Sequence, residues 1–422
     1  MLRRLLLVLA VTVLTVPAQA APPSPITLLS TVPAPGAVSA RLVGTVLHVS
    51  TAAGLLTYDV SRPESPLELG RLPLPTFQNE DLDVGGGLAL LSEDVPVRAA
   101  DSPVGGQLVV VSVADPSRPA VLAEVPLPDG AGHTATCLLE CRWAYASNGA
   151  TLVAVDLRSP SAPVVHRVPL PAASGAVHDL DEDDRGLVWL SGEGGVTALA
   201  VAPVRNLGAS VARRTAAASP LAPVELTSTG PAGSSALTRV GVAHGSLRPL
   251  DVDWRGPLGR GDVLLVAEES TADDCLDGGR LHSVDARGHA TGRPLTVLDS
   301  VAPVDRKATT APGPGAGCSA HWFSTSGPLV ATAWFGAGVR IFDASDPRRL
   351  RQVASYVPTE PRTWSTVWVP GTRIVYALDL HRGIDVLRVD ARPGGPAVGA
   401  TDHQPRPLTL ARVLAGARCS SD

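Results

Sequence analysis

One phrase, written seven times along the chain, constrains the fold more than any other feature. It is clearest at Gly54-Leu55-Leu56-Thr57-Tyr58-Asp59-Val60-Ser61-Arg62-Pro63, at Leu152-Val153-Ala154-Val155-Asp156-Leu157-Arg158-Ser159-Pro160 and at Val339-Arg340-Ile341-Phe342-Asp343-Ala344-Ser345-Asp346-Pro347. Another copy runs from Leu108 to Pro119, and looser ones occupy Leu281 to Arg287 and Ile384 to Pro396. A copy without its Asp lies at Gly195 to Pro203. A repeat of this kind is one supersecondary unit that buries its apolar face only by stacking on its neighbours. Alternating residues before the Asp suit a half-buried strand, the Asp accepts local backbone N–H bonds, and the following Pro presets φ for a turn. A second short strand then ends in prolines, as at Leu72 to Pro75 and Val168 to Pro171, where a missing donor suits a strand end or sheet edge.

Each phrase is preceded by a further strand pair, for example Leu82 to Val84 with Leu88 to Leu91, or Ala320 to Phe323 with Leu329 to Ala333. Four antiparallel strands per unit make the blade of a propeller. The expected fold is therefore all-β, a seven-bladed β-propeller of four-stranded antiparallel blades spanning residues 21–398. One interval is wider, 85 residues from Ala200 to Asp285, and holds an Ala/Pro/Ser-rich stretch at Ala216 to Ser235. It reads as an insertion near 205–245; an eighth blade around Leu237 to Ala243 is the alternative. The last unit lacks a fourth strand of its own, and Ile26 to Pro33 resembles the outer strand Leu350 to Pro358. The N-terminal segment is expected to close the ring, covering two sheet edges.

These phrases resemble the LVIVD repeat family of secreted bacterial β-propellers. The residues that carry the likeness are Leu152 to Leu157 with Pro160 and Pro163, Gly338 to Asp343 with Asp346-Pro347, and Cys318-Ser319-Ala320-His321-Trp322. The resemblance covers nearly all of the chain after residue 20. It implies the fold and supplies no catalytic motif.

The first twenty residues read as an export signal: Arg3 and Arg4, an apolar stretch from Leu5 to Val16, then Pro17-Ala18-Gln19-Ala20, with cleavage expected after Ala20. The apolar stretch is too short to span a bilayer, which takes about 20 residues, and no later segment replaces it. A secreted or extracytoplasmic, monomeric protein with no membrane span is expected, with residues 399–422 as a tail. The 41 Gly and 39 Pro argue against long helices. A formal net charge of −5 with no basic stripe argues against nucleic acid as a partner.

Five cysteines in an exported chain point to disulfides. The expected pairs are Cys137–Cys141 and Cys275–Cys318, with Cys419 left over; a zinc ion on Cys137 and Cys141 is the competing reading.

Propeller ligands are commonly held where inner strands meet the central channel. The segments before the inner strands offer Asn79-Glu80-Asp81, His133, His178-Asp179, Arg248, His321-Trp322 and Trp364. Equivalent blades would gather these residues at one axis. His133, His178 and His321 beside carboxylates are then candidate ligands for a divalent metal. A wet, structural channel needs no ligand and accounts for the same residues. The acidic run Asp179 to Asp184 and the pair Asp273-Asp274 beside Glu268-Glu269 lack the spacing of a calcium loop. Gly313 to Gly317 lacks the lysine of a phosphate loop, and no nucleophile elbow is present. The leading functional expectation is a non-catalytic module that binds an extracellular protein, peptide or glycan. The alternative is a metal-dependent extracytoplasmic enzyme with the histidines at the channel.

Overall fold

A computed structural model describes residues 25–403 except 75–78, 95–105, 230–241, 271–274, 276–277, 304–316 and 399–400. Seven antiparallel four-stranded blades, one of them extended by a short fifth strand, form a ring, a seven-bladed β-propeller. Blade one is Ala37–Val43, Val46–Thr51, Gly54–Asp59 and Leu67–Pro73. Blade four comprises Val177–Glu182, Leu187–Gly192, Gly195–Ala200 and Val224–Ser228, and blade five comprises Val242–Leu247, Val263–Glu269, Leu281–Asp285 and Thr296–Pro303. The inner strands of the other blades are Asn79–Gly85 (two), Thr134–Leu138 (three), Phe323–Ser326 (six) and Thr363–Trp368 (seven). Inner strands contact inner strands at six of the seven blade junctions, so they line the axis. All seven copies of the repeated phrase fall on the third strand of a blade.

The turn chemistry follows the sequence. Asp59, Asp115, Asp156, Asp285 and Asp343 each accept a hydrogen bond from the backbone N–H two residues on, at 2.8–3.1 Å. The turn also fastens neighbouring blades. Thr57 Oγ1 of blade one donates to the Pro116 carbonyl of blade two at 2.5 Å, and the Tyr376 hydroxyl of blade seven donates to the Pro63 carbonyl of blade one at 2.8 Å. Ser283 of blade five makes the same contact to Pro347 of blade six. The phrase thus encodes a strand and a latch together.

Each blade is too thin to have an interior of its own. The apolar side chains instead form a separate cluster between each neighbouring pair of blades, all the way around the ring. The cluster between blades seven and one joins Leu47, Tyr58, Tyr376 and Ile384. It exists only when the ring is closed. Closure is made by Ile26–Val32, which pairs antiparallel with Gly383–Val389 as the outer strand of blade seven. Ile26 inserts into the cluster between blades six and seven, and Thr31 Oγ1 donates to Asp385 at 2.7 Å.

Several details depart from the sequence reading. The chain from Ala200 to Val224 is the insertion, a short excursion with a helix at Ala209–Arg214 between the third and fourth strands of blade four. The range 205–245 was too wide, since Val224–Ser228 and Val242–Leu247 are blade strands. Val242 and Ala243 open blade five, so no eighth blade exists among the described residues. Blade six begins at Phe323, with Ala320 before it. Within the expected tail, Thr401–Asp402 pairs with the outer strand of blade five, and Asp402 accepts from Arg280 at 2.9 Å. Residues 1–20, expected to be an export signal, and Cys419 lie outside the described residues. No helix among the described residues is long and apolar enough to cross a membrane.

Cys137 pairs with Cys141 and Cys275 with Cys318, with Cα separations of 4.4 and 4.7 Å. The first pair spans a turn whose Leu139, Glu140 and Cys141 all have positive φ, between 53° and 60°. The second ties the buried core between blades five and six. On the chain-entropy relation, bridging 43 residues stabilises by about 4 kcal/mol and bridging 4 residues by about 2 kcal/mol. Urea unfolding should show the Cys275→Ala/Cys318→Ala variant losing about twice what Cys137→Ala/Cys141→Ala loses. Equal losses would sink the loop-entropy account.

Candidate functional site at the hub

The hub is layered because the inner strands start at one end of the channel and finish at the other. Near their starts, four histidine rings and three other aromatic rings meet. His133 precedes the inner strand of blade three, His178 and His244 lie within those of blades four and five, and His321 precedes that of blade six. Ring centroids are 4.5 Å apart for His133–His178, 4.5 Å for His178–His244 and 3.7 Å for His244–His321. Trp322, Phe335 and Trp364 close around His321 at 4.5–5.0 Å. Phe335 enters from the turn between the second and third strands of blade six and has a φ of 35°. A left-handed non-glycine backbone is a strained arrangement, held here by the packing of its ring.

β-Bulges explain how the strands present these rings. The register of the inner strand shifts between Val177 and Asp179, between Ala243 and Gly245, and between Thr363 and Ser365. The extra residue is His178, His244 or Trp364. A bulge re-aims one side chain without ending the strand, so His178 and Asp179 both serve the hub despite being consecutive.

The polar atoms of this layer are unevenly partnered. His133 Nδ1 lies 2.9 Å from Asp94 Oδ2, and His133 Nε2 lies 3.2 Å from His178 Nε2. His178 Nε2 also lies 3.2 Å from Glu269 Oε2, at the end of the second strand of blade five. His321 Nδ1 donates to the Trp364 carbonyl at 2.7 Å. His178 Nδ1, both ring nitrogens of His244 and His321 Nε2 are buried without a hydrogen-bond partner. Burial holds His321 down at about 4, and burial with the neighbouring histidines holds His244 well below the ordinary imidazole value. Burial alone would raise the Glu269 carboxyl; the His178 hydrogen bond and the surrounding histidines outweigh it and hold it at about 2. Ligand atoms of His178, His244 and Glu269 lie within 4.8 Å of one another.

One layer further in, carboxylates stitch the blades together. Asp179 accepts from Leu180 N at 2.8 Å, from Thr134 Oγ1 of blade three at 2.9 Å and from Trp322 Nε1 of blade six at 3.1 Å. Asp81 accepts from Thr134 Oγ1 at 3.1 Å and from Leu82 N at 2.7 Å. Burial first, then the charge of Asp179, pushes the Asp81 carboxyl up to about 7. Gly245 makes room here, since a Cβ would stand 2.9 Å from Asp179 Oδ2 and 3.4 Å from the Trp322 ring.

Toward the far ends of the strands lies a cleft of about 280 Å³. Its lining includes Arg41, Asp181, Ser246, Trp322, Thr366 and Trp368. Arg41 reaches Asp83 at 3.3 Å and Asp181 at 3.6 Å. Trp322 is shared, packing on His244 and His321 on one side and lining the cleft on the other.

The expected residues Asp81, His133, His178, Asp179, His321, Trp322 and Trp364 all lie at the hub. The side chain of Glu80 lies outside the described residues. Arg248 does not belong with them: it follows the inner strand of blade five and pairs with Asp183 at 2.6 Å, against Trp189. Asp183 is spent on Arg185 N, Leu187 N and Trp189 Nε1, which accounts for the acidic run as a structured turn. Of the other carboxylate group, Asp273 and Asp274 are outside the described residues, while Glu269 belongs to the histidine layer. His244, Asp94 and Phe335 were missed.

The hub and ring define the class: a seven-bladed β-propeller with a polar, histidine-bearing channel. No family model and no curated protein matches the chain. Among solved structures it is similar to the WD40 repeats of RRP9, with 10% identity, a TM-score of 0.54, and coverage of 86% of this chain and 97% of that one. It is also similar to the β-propeller domain of Cps50 (Swd1) from Myceliophteria thermophila, with 13% identity, a TM-score of 0.55, and coverage of 87% and 100%. A chain of a mitotic checkpoint complex matches with 12% identity, a TM-score of 0.53, and coverage of 92% and 98%. At these identities the likeness is one of fold.

Proposed function

We propose that this chain is an exported, non-catalytic binding propeller that takes a sugar residue of an extracellular glycan into its channel cleft. The observation that carries the reading is the cleft itself. Its volume of about 280 Å³ sits at the small end of ligand sites and suits one ring-sized group. Trp322 and Trp368 supply apolar surface, while Arg41, Asp181, Ser246 and Thr366 supply a few fixed polar groups around it. That mixture orients a ligand rich in hydroxyls. The apolar stretch and small-residue exit at the N-terminus, together with the LVIVD likeness, support export. One similar ring belongs to a mitotic checkpoint complex, and binding through a propeller is extended from there to this chain.

Titration of the full chain with mono- and oligosaccharides, followed by tryptophan fluorescence and calorimetry, is expected to give a dissociation constant of about 1 mM or tighter for one of them. Trp368→Ala should weaken that binding at least tenfold, and Arg41→Ala by a similar factor. If no saccharide binds at millimolar concentration, or if binding survives both substitutions unchanged, the reading fails. Saturable binding of a peptide in their place would keep the cleft and overturn the glycan.

A further inference from the structure

We infer that the histidine layer is a binding site for one divalent transition-metal ion, ligated by His133, His178, His244 and Glu269. The inference is independent of the cleft and of any glycan. Three physical observations carry it. The first is convergence: donor atoms of His178, His244 and Glu269 from two adjacent blades lie within 4.8 Å of one another, and His133 Nε2 is 3.2 Å from His178 Nε2. Zinc–imidazole and zinc–carboxylate bonds of about 2.0–2.2 Å place ligand atoms roughly 3–4 Å apart. Side-chain shifts of about an ångström bring His178, His244 and Glu269 to that spacing, and His133 Nε2 already stands at it from His178 Nε2.

The second is the state of the nitrogens. Buried polar atoms are normally hydrogen-bonded, and leaving one unmade costs about 1–3 kcal/mol. Here both nitrogens of His244 are buried without such a partner. His178 Nε2 faces a second imidazole nitrogen and a carboxylate oxygen at once, each at 3.2 Å. A single proton on that nitrogen serves one of the two; a cation among the donors serves all of them.

The third is the outer shell. A ligating histidine commonly engages its other ring nitrogen with a carboxylate or carbonyl, which fixes the ring and its tautomer. His133 has this arrangement, with Nδ1 on Asp94 and Nε2 turned inward. His321, tilted against His244, has Nδ1 fixed by the Trp364 carbonyl and packs beside the cluster with Trp322 and Phe335. Imidazoles with one carboxylate suit zinc, copper, iron or nickel better than calcium or magnesium.

The test uses the purified full-length chain, stripped with a chelator and dialysed. Calorimetry with Zn(II) and Cu(II), checked by elemental analysis, is expected to give one equivalent per chain, and Co(II) should develop visible ligand-field bands. His244→Ala and Glu269→Gln should each weaken Zn(II) binding at least tenfold, and Asp94→Asn by about tenfold through the orientation of His133. His166→Ala, on the outer strand of blade three, should leave binding unchanged. Should His244→Ala fail to fold, Glu269→Gln and Asp94→Asn carry the same comparison. Folded wild-type protein that takes up no stoichiometric metal, or uptake indifferent to Glu269→Gln and Asp94→Asn, overturns the site. Loss of glycan binding with metal uptake intact would count against the cleft alone.

Discussion

A chain lacking residues 1–33 is expected to lose its cooperative unfolding transition or to unfold roughly 5–10 °C lower than the full ring. The segment removed includes the whole outer strand of blade seven, Ile26–Val32. With it go Ile26 from the cluster between blades six and seven, and Leu29 and Val32, which pack against the cluster between blades seven and one. Burying side chains of this size stabilises by about 1.5–3 kcal/mol each, so roughly 5 kcal/mol is lost before the ladder is counted. Domains of ordinary stability hold about 5–15 kcal/mol. The truncation also bares the edge of Gly383–Val389, which invites pairing with another chain.

A single substitution tests the same closure without deletion. Gly383 has a φ of +100°, and a Cβ there would lie 2.3 Å from Ala34 N and 2.5 Å from Val32 O. Gly383→Ala therefore strains the backbone and drives the N-terminal strand outward, at a cost of about 3–4 kcal/mol. Gly371 has a similar positive φ of +72° with nothing within 4 Å, so Gly371→Ala should cost only about 1–2 kcal/mol. Urea melts of the two variants separate conformation from collision. Equal costs would mean that the N-terminal strand does not sit against Gly383.

Much of this architecture was legible because the sequence states it repeatedly. The apolar alternation before Asp59, Asp156 and Asp343 defines one strand, and the glycine before it marks where that strand passes beneath the next. Gly54 and Gly338 have φ of +122° and +80°, with a prospective Cβ 2.1 and 2.4 Å from Leu72 O and Tyr356 O. The missing fourth strand after Val389 pointed to the N-terminus for the same reason: a repeat that falls one strand short must borrow one. Pairing of Cys275 with Cys318 was legible from the expected export and the number of cysteines, although not from their separation.

The site was harder to see, for two physical reasons. Inner strands were located through the strand pair before each repeated phrase, and in blade five that pair was obscured by the wide interval after Ala200. His244 was therefore passed over, one residue beyond the stretch Leu237 to Ala243 weighed as an eighth blade. Second strands run antiparallel to first strands, so their ends return to the histidine end of the channel. Glu269 and Asp94 arrive that way; a search confined to first strands misses Asp94 and does not connect Glu269 with the histidines. Strict alternation also sends His178 and Asp179 to opposite faces. Only the bulge, which leaves no fixed mark in the sequence, puts both at the hub.

Asp179→Ala is expected to destabilise the ring by about 3–5 kcal/mol, the largest effect of any single hub substitution considered. Its carboxylate is the common acceptor for Thr134 of blade three and Trp322 of blade six, residues 188 positions apart in sequence but one side chain apart at the axis. Removing it takes that acceptor from Trp322 Nε1–H and Leu180 N–H, while Thr134 keeps Asp81, and each buried donor left unmade costs about 1–3 kcal/mol. Asp179→Asn dissects the loss. An amide oxygen can still accept from Leu180 N and Thr134, while the amide NH2 meets the Trp322 Nε1–H donor to donor, at a cost of about 1–3 kcal/mol. The pH dependence gives a signature that lost packing alone would not. Asp81 shares Thr134 with Asp179 and is held up at about 7 by burial and then by the Asp179 charge. Between the ordinary carboxyl value of 3.8 and about 7, the folded chain binds a proton at Asp81 that the unfolded chain has released. Stability from this group is therefore fully present below about pH 4 and is lost as pH rises through 7. Neutralising Asp179 removes the repulsion, lowers the Asp81 value and reduces that loss. The penalty of Asp179→Asn should accordingly be smaller at pH 8 than at pH 5. Urea melts at the two pH values measure the difference. A penalty independent of pH would mean that Asp81 and Asp179 do not share the hub as an interacting pair.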